Sequence, residues 1–162
     1  MSKDKAAQLA RYRQWLSPEA LRAANPSRGR ALFNRSCAAC HTLFGEGGDL
    51  APELTGSQRS NHEYLLENVV DPNAVVWNRY RATYFETADD QLISGIILRE
   101  NESIVSIQTQ TGTVTLPRHE IASRTESTVS MMPEGLFDGL TPEEVRDLVA
   151  YLQSPAQVPL RP

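Results

Sequence analysis

What the chain lacks narrows its function first. Wholly apolar runs are short, Ile96-Ile97-Leu98 among them, far below the ~20 residues a membrane-crossing helix needs. Basic residues are not in excess: 16 Lys and Arg stand against 20 Asp and Glu, for a net charge of -4. A nucleic-acid binder needs a basic stripe to neutralise phosphates, so no nucleic-acid partner is expected. The start, MSKDKAAQLARYRQWL, lacks the apolar core that follows the basic residues of a secretory signal. Three origins fit it: a cytoplasmic protein, a chain whose leader was removed, or a piece of a longer protein. No internal repeat or low-complexity tract is present. Cysteine and histidine are scarce, two and three in 162 residues, and their placement is therefore informative.

Both cysteines fall in one stretch, Cys37-Ala38-Ala39-Cys40-His41. A structural zinc site needs four ligands, usually in two close pairs. Only His62 and His119 remain, and neither has a paired spacing. A redox dithiol belongs at the end of a strand in a βαβ unit, whereas SRGRALFNRSCAAC reads as helical from about Ser27. Haem attachment accounts for every residue. Two thiols one helical turn apart share a face and can form thioethers to the two vinyl groups, and the adjacent His41 offers its imidazole to the iron. Both cysteines are then consumed, and no disulfide is expected. One covalent haem c is the expected cofactor.

A second axial ligand is required, and Met131, Met132, His62 and His119 are the candidates. Met132 is preferred because Pro133 holds the chain after it extended, so that a strap can cross the haem face. The competing reading of either Met is a gap-filling core residue. His62, in the first turn of a helix, and His119, at the end of a strand, read as solvated. Arg59, together with Trp77 or Arg79, is placed to donate to the haem propionates, where charge pairing favours Arg.

Elsewhere, Ala6, Leu9, Ala10, Arg13 and Leu16 fit a first helix, and Ser17-Pro18 caps and starts a short second one. GEGGDLAPELTG reads as a loop. Ser60 and Glu63 form a capping box for a helix that Asp71-Pro72 ends. From Tyr80, segments rich in Thr, Ile, Val and aromatics read as three or four antiparallel strands joined by tight turns. SRTESTVSMMPEGL reads as irregular. Thr141, Pro142 and Glu144 open the clearest helix, with Val145, Leu148, Val149 and Leu152 as its apolar stripe.

The segments GRALFNRSCAACH, APELTG, YLLENVVDPNAVV, MMPEGL and LTPEEVRDLVAYLQ resemble a class I cytochrome c. More specifically, they resemble the haem-binding domains of large bacterial multidomain proteins of the membrane-bound dehydrogenase type. The resemblance runs from about Ser27 to Ser154. It implies a mostly α cytochrome c fold with an inserted small antiparallel β-meander. The domain layout would be an N-terminal helical extension over 1–26, a cytochrome c domain over 27–154 with the insertion at about 79–125, and a tail over 155–162. It also implies that His41 and Met132 are the iron ligands and that Pro52 offers a carbonyl to the proximal His. Gly29 and Phe33 would cross the last helix at Leu148 and Tyr151. Ala51 and Asp89-Asp90 depart from the family, which usually carries Gly before the loop Pro and Asp-Gly in the hairpin.

The expected activity is one-electron transfer rather than enzymatic turnover, with redox proteins, a dehydrogenase domain among them, as partners. The alternative is a haem sensor or haem enzyme with a labile sixth ligand. Haem c attachment implies a periplasmic or otherwise extracytoplasmic setting. Edge-strand pairing leaves a homodimer open.

Overall fold

The computed structural model describes residues 2–76 and 80–160; Trp77 and Arg79 lie outside them. The chain divides into two compact units, Met1–Ala74 with Pro133–Pro162, and Val75–Met132.

Among the described residues the first unit holds five helices: α1 (Lys3–Trp15), α2 (Pro18–Arg22), α3 (Pro26–Ser36), α4 (His62–Val70) and α5 (Pro142–Leu152). Local chemistry sets their ends. Ser17 caps α2 with Pro18 at its first position, and Asn25 caps α3 through the Ser27 and Arg28 N–H groups. Asn25-Pro26 thus starts a helix. The capping box at Thr141 and Glu144 is formed. The cap of α4 is Asn61, not Ser60: its carboxamide oxygen accepts from the N–H groups of Glu63 and Tyr64. Any short polar side chain can serve there, and the one in register wins.

Helices α3 and α5 cross closely. A Cβ on Gly29 would lie 1.9 Å from the Asp147 carbonyl oxygen and 2.8 Å from the Tyr151 Cβ. The Phe33 and Tyr151 rings meet edge to face at 5.5 Å. Gly29 is therefore a helix-contact residue. The crossing carries a buried carboxylate: Asp147 is 1% exposed, accepts the Asn25 N–H at 2.6 Å, and pairs with Arg28 Nε at 2.9 Å. The core around it includes Leu9, Tyr12 and Leu16 from the N-terminal segment together with Leu66, Val145 and Val149.

The second unit is a five-stranded antiparallel sheet built from β3 (Arg81–Thr87), β4 (Leu92–Glu100), β5 (Ile104–Thr109), β6 (Gly112–Pro117) and β7 (Ile121–Ser130), in the order β6-β5-β4-β3-β7. Phe85, Val105, Ile107 and Leu116 are its buried core. At Gly95 the neighbouring strand comes so close that a Cβ would lie 2.2 Å from the Gln108 carbonyl oxygen. Asp90 takes φ 61 in the turn between β3 and β4, the left-handed conformation a glycine would supply freely. After a 3₁₀ turn at Arg118–Glu120, β7 returns to pair with β3, with Tyr84 opposite Thr125.

Two expectations are corrected. The mostly α reading fails: the chain is 34% helix and 27% strand, with the five-stranded sheet as a principal element. SRTESTVS is not irregular but forms most of β7. It has no apolar alternation because most of its side chains are exposed, and an edge strand needs only one partner.

Candidate functional site

The Cys37–His41 stretch begins where α3 stops. Cys37 is the C-cap of α3, and both the Cys37 and Ala38 N–H groups donate to the Phe33 carbonyl, at 2.8 and 2.9 Å. The next turn is closed by the Cys40 and His41 N–H groups, which donate to the Cys37 carbonyl at 3.1 and 2.9 Å. The cysteines thus sit on a turn beyond the helix rather than on its face.

The glycine-rich loop wraps this turn. Strands β1 (Thr42–Leu43) and β2 (Glu46–Gly47) pair through a two-residue turn in which Phe44 and Gly45 have φ 53 and 78, the signature of a type I′ hairpin. A Cβ on Gly47 would lie 2.1 Å from the His41 carbonyl oxygen, and one on Gly48 2.4 Å from that of Ala39. Only glycine lets the backbones touch there. The Gly48 N–H donates to Ala38 O at 2.8 Å, Ala51 N–H to Cys40 O at 2.9 Å, and Leu54 N–H to Thr42 O at 2.9 Å. Ala51 does this without a positive φ, so its departure from glycine carries no backbone strain.

This wrapping brings Pro52 to His41. The His41 Nδ1 is 2.7 Å from the Pro52 carbonyl oxygen. A carbonyl can only accept, so Nδ1 carries the proton. Nε2 has no hydrogen-bond partner among the described residues. Burial lowers the His41 pKa, opposed by the Pro52 hydrogen bond, and a neutral imidazole is what a metal ligand requires. Burial, and then the neighbouring Cys40, pushes the Cys37 thiol up to about 12; burial also raises Cys40. Cys37 and Ala38 pack against the helical core. Among the described residues no group of three or more His, Cys, Asp and Glu could hold a metal ion, so the two thiols and His41 lack the further ligands of a zinc site. The donor set fits haem c: two thiols three residues apart, one apolar wall, and one imidazole nitrogen fixed so that the other is free.

Arg59 sits across the loop. Its Nε donates to Thr55 O at 3.1 Å, its Nη1 donates to Leu152 O at 2.8 Å and to Ser154 O, and its guanidinium lies 4.7 Å from the centre of the Phe44 ring. It closes the C-terminal end of α5, a common use of Arg, with Nη2 not engaged in these contacts. Sequence reasoning missed Phe44 and Thr55, whose hydroxyl accepts the Phe44 N–H at 2.8 Å; a Phe at positive φ leaves no signal in composition or periodicity. His62 is half-exposed at the start of α4, 3.7 Å from Glu63, and His119 is exposed in the 3₁₀ turn. Met131 and Met132 are half-buried at the end of the sheet unit, and the Met132 N–H donates to Ser130 Oγ at 3.1 Å. Among the described residues no helix is long and apolar enough to cross a membrane.

No curated protein matches this chain. Residues 24–77, a third of the chain, match the family model described as cytochrome c oxidase, cbb3-type, subunit III. The matched residues contain Cys37, Cys40, His41 and Pro52, and the match supports a c-type cytochrome, with the covalent haem and haem-based electron transfer that this class implies.

Proposed function

We propose that the chain is a mono-haem c-type cytochrome that carries one electron with His41 and Met132 as axial ligands. The observation that carries this reading is the Pro52 carbonyl on His41 Nδ1 beside the two cysteines. Cys37 and Cys40 would hold the haem through thioethers, and Nε2 of His41 would face the iron. When bound, the haem supplies a one-electron couple, and methionine ligation favours its reduced form. The chain's own residues do the rest. The Pro52 hydrogen bond fixes the tautomer and ring orientation of His41 and raises its basicity. Cys37 packs against the helical core, which shields that thiol from water. Met132 supplies a soft sulfur, its approach limited by Pro133. Arg59 and Trp77 are proposed donors to the propionates.

The remaining proposals follow from this. Haem c is attached outside the cytoplasm, so the protein works in the periplasm or a comparable compartment, with a redox protein such as a dehydrogenase domain as partner. The Val75–Met132 sheet is proposed as an insertion into a cytochrome c frame spanning 27–154, which keeps the likeness to dehydrogenase-type multidomain proteins.

The test is to produce the chain with haem c maturation machinery. One haem should resist acid–acetone extraction, and Cys37→Ala with Cys40→Ala should abolish attachment. The oxidised form should show the weak long-wavelength band of an iron–thioether bond. Met132→Ala should remove the band and Met131→Ala should not. A high-spin oxidised form that binds CO rapidly on reduction would refute His/Met ligation.

A further inference from the structure

Helix α1 lies outside residues 24–77, yet it holds the segment that directly follows Met132. Lys5 Nζ pairs with Glu134 Oε2 at 2.8 Å and donates to the Val70 carbonyl at the end of α4 at 2.6 Å. The other oxygen of the same carboxylate, Oε1, accepts from Asn73 Nδ2 at 2.7 Å. Asn73 stands just before the chain leaves the helical unit at Val75, and Glu134 just after it returns at Pro133. One carboxylate therefore joins the outgoing and the returning chain, and α1 supplies its cation. Two turns further along α1, the Tyr12 hydroxyl donates to Asp138 Oδ1 at 2.9 Å. The Tyr12 ring meets Phe137 edge to face at 5.2 Å, with both side chains buried. Gly135, at φ 75, makes the turn between these anchors.

We propose that α1, through Lys5 and Tyr12, is a clasp that positions the strap bearing Met132, so that retention of the sixth ligand depends on this helix. The inference rests on the His41/Met132 ligation proposed above. Its physical basis is reach. Glu134 is two residues from Met132, a span of ~7 Å at most, and Pro133 between them removes a further degree of freedom. With both oxygens of Glu134 held, Met132 can sample only a small volume. Lys5 is not an ordinary surface cation. Its side chain is 15% exposed, and moving the strap away would strip a partner from a nearly buried ammonium, which is costly. Lys5 and Tyr12 are positioning residues: they act on the strap through Glu134 and Asp138.

The experiment uses the haem-loaded full chain. Imidazole binding to the oxidised form must displace Met132, so its apparent affinity rises with the fraction of molecules whose strap is open. The Lys5→Met, Tyr12→Phe double variant keeps the apolar bulk and the Phe137 contact but loses the ion pair and the Asp138 hydrogen bond. It should bind imidazole about tenfold more tightly than the parent chain. In a Met132→Ala background the same two substitutions should leave imidazole affinity unchanged, because no ligand remains to be displaced. A double variant with a lowered melting temperature but parental imidazole affinity would assign α1 a purely structural role and overturn the proposal. Equal imidazole affinity in the parent and in Met132→Ala, with no iron–thioether band in either, would instead overturn the ligation reading beneath it.

Discussion

Gly29→Ala puts the helix crossing to a direct test, because two opposing effects predict opposite signs. In an isolated helix, replacing an interior Gly by Ala stabilises by about 1 kcal/mol. Here the new Cβ would stand 1.9 Å from the Asp147 carbonyl oxygen, 2.5 Å from its carbon and 2.8 Å from the Tyr151 Cβ, and ordinary contact begins at 3.4 Å. The obstruction is backbone, which cannot rotate away, so α5 must retreat by about 1.5 Å from α3. That retreat strains the 2.6 Å bond from the Asn25 N–H to Asp147 and the Arg28 pair on the same carboxylate. It also opens the Phe33–Tyr151 contact. Overpacking costs up to about 3 kcal/mol, and a weakened hydrogen bond to a buried charge adds about 1 kcal/mol. Less the propensity gain, the net loss is about 3 kcal/mol, or a melting temperature lower by roughly 6–12 °C for a chain of this size. Circular dichroism melts of the parent and the variant at equal haem content measure it. A variant as stable as the parent, or more so, would refute the close crossing.

Two further outcomes follow from charge and burial. Glu100 accepts from Arg118 and Arg124, each at 2.8 Å, and the Arg124 hydrogen bond foremost holds its carboxyl below the usual range. A depressed carboxylate pKa contributes stability above the ordinary Glu range and loses it as pH falls through the depressed value. Glu100→Gln should therefore flatten the decline of melting temperature on acidification, most visibly at low salt; an unchanged acid limb would count against the pairing. In the haem-free chain, Cys37 should react with a maleimide more slowly than Cys40 at neutral pH, since burial raises its thiol to about 12 and only the thiolate attacks. Peptide mapping after timed labelling reads the order, and faster labelling of Cys37 would contradict its burial.

Helix ends were the most legible part of the fold, because a cap is decided by three or four neighbouring residues. Thr141 with Glu144 and Ser17 with Pro18 read correctly on that account. The Asn61 cap was missed by one position, since Ser60 offers the same chemistry and only the backbone register distinguishes them. Strands β3 to β6 were visible through their Val, Ile, Thr and aromatic content. Strand β7 was not, because its stability comes from pairing with β3, some forty residues earlier in the chain, rather than from its own polar side chains. The mostly α expectation came from the resemblance to a class I cytochrome c, which treated the strands as a small insertion, whereas the sheet is 27% of the chain against 34% helix.

By itself, the sequence determined the chemistry that is short in range: two thiols and an imidazole within five residues, a helix leading into them, and a glycine-rich loop after them. Tertiary structure decided what depends on residues far apart. It set the Pro52 carbonyl against His41, spent Arg59 on the end of α5, and drew Glu134 to Lys5 and Asn73. The His41–Pro52 and Arg59–Leu152 contacts bridge 11 and 93 residues, and Lys5–Glu134 more still, separations over which periodicity and propensity carry no information. They depend on burial of the helical core, which brings distant segments together and sets which polar groups lie within reach of one another.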